Sequence, residues 1–460
     1  MNITFDIIKS ISATEGNANK TSDLLAWINN LNSSTLVKIN DISLNNDSFW
    51  FYDEVDGCVK NKKNAFFTIK GLKTYCDDKV IEQPIIDQPE IGYLGIICKK
   101  IDGVLNFLMQ GKIEPGNVNC VQISPTVQAT RSNFTKVHGG KQPAYIEYFL
   151  NAKNECVVFD QIQSEQSSRF YKKRNRNIII LIDDEIDLLP NFKWMTLGQL
   201  KNLMKYDNLV NMDTRTVISG IPLSLHGMSD EQINQIQSLF NDIGLYKSTF
   251  ETNPHDSLTS VYRYINNIKM FNNVDSKIVP LYDLDNWVVS NDGITCRNKS
   301  DFSVGYYDIF IEGREVVHWS QPMFKATGSA LFGLIEKEFD GVTKFLIKVR
   351  REAGCFDVAE FGPSVQLESS ELNGELDIVE AILNKYIESN NTVADVVLSE
   401  EGGRFYHEQN RNVIIKIREN ELTELPEGYF WVDYSTLNYL VQINNCLNIQ
   451  LRNLLSLIMI

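Results

Sequence analysis

The sequence predicts an α+β protein made of two tandem copies of one unit. Residues 164–180 and 399–415 are identical at ten of seventeen positions, and an internal repeat is read before any local pattern. Further pairs keep one offset of 238 residues: Gln83-Pro84 with Gln321-Pro322, Asp102-Gly103 with Asp340-Gly341, and Pro125 and Gln128 with Pro363 and Gln366. Short apolar runs broken by Gly, Asp and Pro supply the strands, and fewer helical stretches lie among them. The first copy is taken as 1–228 and the second as 229–460.

Residues 20–32 begin Lys-Thr-Ser-Asp before an apolar periodic run and read as a capped helix. Residues 64–72, 92–99, 104–113 and 118–123 read as strands. Asp102-Gly103 and Asp340-Gly341 are hairpin turns, since both residues of such a turn need a positive φ. Residues 178–183 and 413–417 are β-branched strands. Residues 197–205 and 435–441 form a short helix after a strand that carries Trp194 or Trp431. Residues 229–243 open on Ser-Asp-Glu, a capped helix leading into the second copy.

Composition excludes several classes. The net charge of −15 disfavours a nucleic-acid partner, which needs a basic face. A few local arginines still suit a small anionic ligand. Eight cysteines are scattered with no CxxC pair, which reads as reduced thiols in a cytoplasmic protein. His138, His226, His255, His318 and His407 lack metal-motif spacing. Met1 to Lys20 lacks the pattern of a signal peptide, and no apolar run is long enough for a membrane span. Neither a dinucleotide turn nor a P-loop occurs, so no nicotinamide cofactor and no NTPase site is expected, and without metal-motif spacing no metal is expected either.

Two stretches carry candidate chemistry. Thr130, Arg131, Ser132 and Asn133 place a guanidinium fork among short donors, suited to a diphosphate or sugar hydroxyls; a solvated loop is the alternative. In the repeated block, Glu400, Glu401, Arg404, Tyr406 and His407 fall within eight positions of copy two. Gly402 and Gly403 permit close backbone approach. Copy one has Glu165, Gln166, Ser167, Ser168, Arg169, Tyr171 and Lys172 at the matching places. The halves differ most in ionisable groups where they are otherwise most alike.

Several strings in fixed order resemble the NDP-hexose 2,3-dehydratases. They run from Ser124 to Phe134, from Val137 to Gly140, from Lys173 to Asn177, from Trp194 to Leu200 and from Asn208 to Arg215. In copy two they run from Pro363 to Gln366, from Leu398 to His407 and from Asn410 to Asn412. Phe134 stands where that family commonly has Tyr. The resemblance implies two Nudix-like halves from a gene duplication, a homodimer, no cofactor, and dTDP-4-keto-6-deoxyglucose as substrate. The implied reaction removes water across C2–C3 to give the 3,4-diketo-2,6-dideoxy sugar nucleotide. A sugar-nucleotide 3,4-ketoisomerase and a non-catalytic sugar-nucleotide-binding protein are the alternatives.

That chemistry needs a base for the C3 proton, a donor for the enolate oxygen at C4 and an acid for the departing hydroxyl. The expectation is that copy two supplies them: Glu400 and Glu401 as a carboxylate pair in which repulsion raises one member, Arg404 for the enolate or a phosphate, and Tyr406 or His407 as donor to the enolate oxygen or the leaving hydroxyl. Trp50 and Trp287 are candidates for packing on thymine or sugar, with a place in the core as the alternative, and Gln366 and Phe134 are candidates for further substrate contacts. Turnover is expected to survive EDTA and to need no added NAD. Loss on chelation, restored by a single metal, is the contrary result.

Overall fold

The computed structural model describes residues 3–47, 49–76, 79–130, 142–271, 273–314, 316–372 and 374–460. Each copy builds one large mixed sheet of seven strands. In copy one its centre is the hairpin Gly92–Ile101 and Val104–Ile113, and in copy two Leu331–Phe339 and Val342–Arg350. The turns are the expected ones: Asp102, Gly103, Asp340 and Gly341 all have positive φ, so the strand ends Ile101↔Val104 and Phe339↔Val342 pair directly. In each copy the strand that ends the repeated block, Arg174–Leu181 or Gln409–Ile417, runs parallel to the first hairpin strand.

The helix at 20–32 is found as Thr21–Ser34, although Lys20 at its start gives no side-chain cap. The strand expected at 64–72 begins later, as Thr68–Cys76. Asn61 explains the shift. Its carboxamide oxygen accepts from the backbone N–H groups of Lys63 and Ala65 at 3.1 and 3.2 Å, turning the chain before it can pair. After Asp230–Leu239 two further helices occur, Ile243–Phe250 and His255–Met270, where the sequence reading placed only a linker. Among the described residues no helix is long and apolar enough to cross a membrane.

Each copy also has a smaller, mainly antiparallel sheet, and here the copies exchange strands. Val37–Asp41 precedes the first small sheet in the chain but pairs with Phe302–Ile311 of the second. Val274–Val279 precedes the second but pairs with Thr68–Cys76 of the first. The boundary at 228/229 therefore separates copies in sequence without separating two bodies in space. The small sheets share one core in which Trp50, Phe67, Phe170, Trp287, Phe302 and Phe405 pack together. Trp50 and Trp287 are 2% and 6% exposed. The Trp50 indole N–H donates to the Ser320 carbonyl at 2.7 Å, and that of Trp287 to the Glu82 carbonyl at 3.0 Å. These indoles tie the copies together and are closed to a nucleotide or sugar, which corrects the stacking expectation.

The helices Met212–Ser219 and Ile449–Leu457 pack against each other in the larger core. Arg215 and Arg452 lie on them, each 1% exposed. Arg215 donates to the Val210 carbonyl at 2.6 Å and to the Ser399 carbonyl of the other copy at 2.8 Å. Arg452 donates to the Leu447 carbonyl at 3.2 Å and also to Thr216 Oγ1 and the Ser164 carbonyl of copy one. Two buried guanidiniums thus hold the two repeated blocks reciprocally, satisfying carbonyls that are costly to bury alone.

The repeated blocks then cross. Gly116 N–H donates to the Gly402 carbonyl at 2.7 Å, and Gly354 N–H to the Ser167 carbonyl at 2.8 Å. A Cβ on Gly116 would collide with the Phe405 carbonyl, and one on Gly354 with the Phe170 carbonyl. Neither glycine needs an unusual φ; each is small because another backbone passes over it. Gly116→Ala and Gly354→Ala are each expected to destabilise by about 3 kcal/mol, the upper range for overpacking, measured by denaturant unfolding. An unchanged midpoint for both would contradict this account of the crossing.

Candidate active site

The crossing gives consecutive residues of one loop opposite destinations. Glu165 turns into its own copy, held by the Asn175 carboxamide, while Gln166 faces Glu408 of copy two. In the second loop Glu400 stays home, accepting from Asn410 at 2.6 Å, while Glu401 reaches the surroundings of Glu114, Glu165 and Lys112 in copy one. Arg404 follows Glu401 across, and its guanidinium covers the Phe67 ring at 4.2 Å. Arg169 makes the opposite trip, covering Phe302 at 4.3 Å and pairing with Glu368 at 3.0 Å.

Two buried polar clusters result, each completed in trans. Cluster one is anchored by Glu114, which pairs with Lys112 at 3.2 Å and accepts from Gln128 at 2.9 Å; Gln128 in turn accepts from Asn211 at 3.2 Å. Glu165, Lys173, Asp213, Glu401 and Arg404 complete it. Cluster two repeats the anchor: Gln366 donates to Glu352 at 2.7 Å and accepts from Asn448 at 2.9 Å. Arg350, Glu400, Glu408 and the trans residues Gln166 and Arg169 surround it, and Gln450 stands at the chain position that matches Asp213.

Burial sets the protonation of cluster one. It pushes Glu401 up to about 8, with Glu114 adding repulsion and Arg404 opposing it. Burial, then the charges of Glu165, Glu401 and Glu114, hold Asp213 well above the ordinary carboxylate range. Burial pulls Lys173 down to about 8, against the attraction of Glu165. Glu114 Oε2, Glu165 Oε1, Asp213 Oδ1 and Arg404 Nε are buried atoms with no hydrogen-bond partner among the described residues. Groups poised for proton exchange near neutrality, beside unspent donors and acceptors, suit acid–base work on a polar ligand.

The structure disperses the constellation expected in copy two. Glu401 and Arg404 enter cluster one, whereas Glu400 enters cluster two. Tyr406 stacks on Tyr307 at 4.5 Å, against a separate apolar patch containing Ile309, Ile311 and Met323. His407 is exposed and lies on the Tyr406 ring at 4.1 Å. A single copy-two pocket is therefore corrected: the loop passes between copies, so its side chains cannot share one site. Gly402 and Gly403 shape that passage, the first against Asn117 and the second through its N–H to Glu401 Oε1 at 3.0 Å. Gln366 sits in cluster two, and Thr130 follows the strand Val127–Ala129 of copy one. Arg131, Ser132, Asn133 and Phe134 lie outside the described residues. Lys112, Glu114, Lys173 and Asp213 were not singled out from the sequence; their signal was the change of charge at Lys173/Glu408 and Asp213/Gln450 within matched strings.

Fold and site together define a duplicated enzyme-like scaffold with acid–base clusters at the junction of its halves. The sequence model of the NDP-hexose 2,3-dehydratase family matches residues 21–221 and again 258–458, and the chain belongs to that family. It is similar to the dTDP-4-dehydro-6-deoxy-alpha-D-glucopyranose 2,3-dehydratase of Saccharopolyspora spinosa, 36% identical over 95% of this chain and 90% of that protein. Proteins of the same description from Amycolatopsis orientalis and Streptomyces violaceoruber are each 34% identical, over 98% and 95% of this chain and 93% and 96% of their own lengths.

One further buried carboxylate makes a stability prediction. Glu360 accepts from Ser164 at 2.7 Å, and burial pushes it up to about 8. Its counterpart is Gln122, which donates to Ser399 at 2.7 Å. Because the folded value lies above the unfolded one, the native state binds the extra proton between about pH 4.5 and 8. The contribution is full below the unfolded value and is lost as pH rises through the folded value. The melting temperature is expected to fall from pH 5.5 to 8.5, and Glu360→Gln to raise it at pH 8.5 while changing little at pH 5.5. A wild-type melting temperature that rises over this range would contradict the assignment.

Proposed function

We propose that the chain removes water across C2–C3 of dTDP-4-keto-6-deoxyglucose, giving dTDP-3,4-diketo-2,6-dideoxyglucose, and that cluster one is where this happens. The observation that carries the reaction is the agreement with relatives of one stated activity over 95–98% of the chain. Support for cluster one is the meeting of Glu401 and Arg404 from one copy with Glu114, Glu165 and Lys173 from the other. In this reading Glu401 takes the C3 proton. A base with a pKa near the working pH is the most effective compromise between availability and strength. Arg404, always charged, stabilises the oxygen at C4 as it becomes an enolate. Cluster two keeps the Glu–Gln–Asn anchor and an arginine, and in this reading it holds a nucleotide sugar without converting it. Each copy is taken as a Nudix-like unit and the protein as a homodimer on the resemblance described above, and as cytoplasmic on its scattered, unpaired cysteines.

Incubation with dTDP-4-keto-6-deoxyglucose, with the unstable diketone trapped by a ketoreductase, tests the reaction. Glu401→Gln is expected to lower kcat by about 10²–10⁴ with dTDP binding retained, and Glu400→Gln to be milder. Full turnover in Glu401→Gln, with loss in Glu400→Gln, would reverse the choice of cluster.

A further inference from the structure

The two clusters are near-copies, so the positions where they differ in chemistry are informative. Three such differences stand out. Cluster one has Glu401, Lys173 and Asp213 where cluster two has Gln166, Glu408 and Gln450. At two of the three, cluster two carries an amide. An amide can hold a hydroxyl or phosphate, but it cannot accept or deliver a proton at neutral pH. At the third, the charge is inverted. The duplication has thus kept a binding frame in both clusters, while a lysine beside a carboxylate brought over from the other copy occurs in cluster one alone.

A base alone does not complete an elimination, because hydroxide is a poor leaving group and needs a proton. Arg404 stays protonated, and Lys112 is paired with Glu114 at 3.2 Å. Lys173 differs from both. It is 6% exposed, it makes no ion pair among the described residues, and its one acceptor there is the Glu90 carbonyl. Among the described residues two of its three N–H bonds therefore have no acceptor. It stands on the crossing loop, where the Lys173 carbonyl accepts from the Glu165 N–H at 3.0 Å. Glu165, Glu90, Glu401 and Arg404 are the charged groups that face it. Burial also makes its proton easier to release than that of an ordinary lysine.

We propose that Lys173 is the acid that protonates the departing C2 hydroxyl, completing a base–acid pair with Glu401 across the junction of the copies. This rests on cluster one being the dehydration site. The Glu401 carboxylate takes the C3 proton, and the C3–H electron pair becomes a C3–C4 double bond with negative charge on the C4 oxygen. The enolate electrons then form the C2–C3 double bond as the C2–O bond breaks. Lys173 gives its proton to the leaving oxygen, water departs, and the amine is neutral. The C3 enol returns its hydroxyl proton to Lys173 as C2 takes the proton held by Glu401. Both side chains end as they began, and the net change is the loss of one water.

The test separates the two proton transfers. Lys173→Met, Lys173→Arg, Asp213→Asn and Glu401→Gln are each incubated with dTDP-4-keto-6-deoxyglucose in D₂O. Product is trapped by a ketoreductase, recovered substrate is examined for deuterium at C3, and dTDP binding confirms a folded site. Lys173→Met is expected to form product about 10²–10⁴ more slowly while still exchanging the C3 proton, because the base survives. Lys173→Arg keeps the charge without a transferable proton and is not expected to restore turnover. Glu401→Gln is expected to lose exchange and product together. The assignment to Lys173 is overturned if Lys173→Met keeps wild-type turnover, or loses exchange and product in parallel. It is equally overturned if Lys173→Arg restores the rate, or if Asp213→Asn alone uncouples exchange from elimination. If the wild-type protein forms no diketone, it is the dehydratase reading that fails.

Discussion

Everything in this protein depends on two chain segments passing over two glycines. Gly116 and Gly354 leave room for the backbone of the opposite copy at Phe405 and Phe170, and short N–H to carbonyl bonds hold the crossings. Arg215 and Arg452 then fasten each crossing segment from within the core, where their guanidiniums satisfy carbonyls of both copies. Fully buried arginines are tolerable only because their donors are engaged in this way. The exchange of Val37–Asp41 and Val274–Val279 between the small sheets repeats the same reciprocity at the outer edge.

The crossing also explains why the clusters contain so many carboxylates. Each loop brings an acidic or amide side chain into a neighbour that already holds a Glu–Gln–Asn anchor, so like charges meet in a place with little water. Burial and repulsion act in the same direction on Glu400, Glu401, Glu408 and Asp213, raising all four. For a structural pair this would be a liability, since desolvation outweighs attraction unless the geometry is complete. For proton transfer near neutral pH it is useful, because such groups change state at little cost.

Duplication followed by exchange lets one scaffold specialise its two junctions separately. The anchor of Glu114, Gln128 and Asn211 is preserved as Glu352, Gln366 and Asn448. Lysine or aspartate in one cluster is answered by glutamate or glutamine in the other, at positions where the backbone is otherwise matched. Separate bodies joined by a linker would have left each copy with its own residues alone. Here each change in a crossing loop alters the neighbouring copy's cluster, so the two sites diverge together.

Sequence alone was enough for the duplication, the α+β class with its Asp-Gly hairpins, and the family, because each rests on local strings or on long strings in fixed order; the parallel pairing that makes the large sheets mixed came only from the structure. It also pointed to the repeated block as the place where chemistry differs between copies. It did not reveal that Glu400 and Glu401 face different clusters, or that Lys173 and Asp213 join Glu401. Neighbours in a chain need not share a site when the backbone crosses from one body to another, and no periodicity records that crossing. Trp50 and Trp287 stayed open between a ligand and the core for a related reason. An aromatic residue at matched positions in two copies looks alike whether it stacks on a ligand or closes a shared core, and only the packing of one small sheet on the other decides between them.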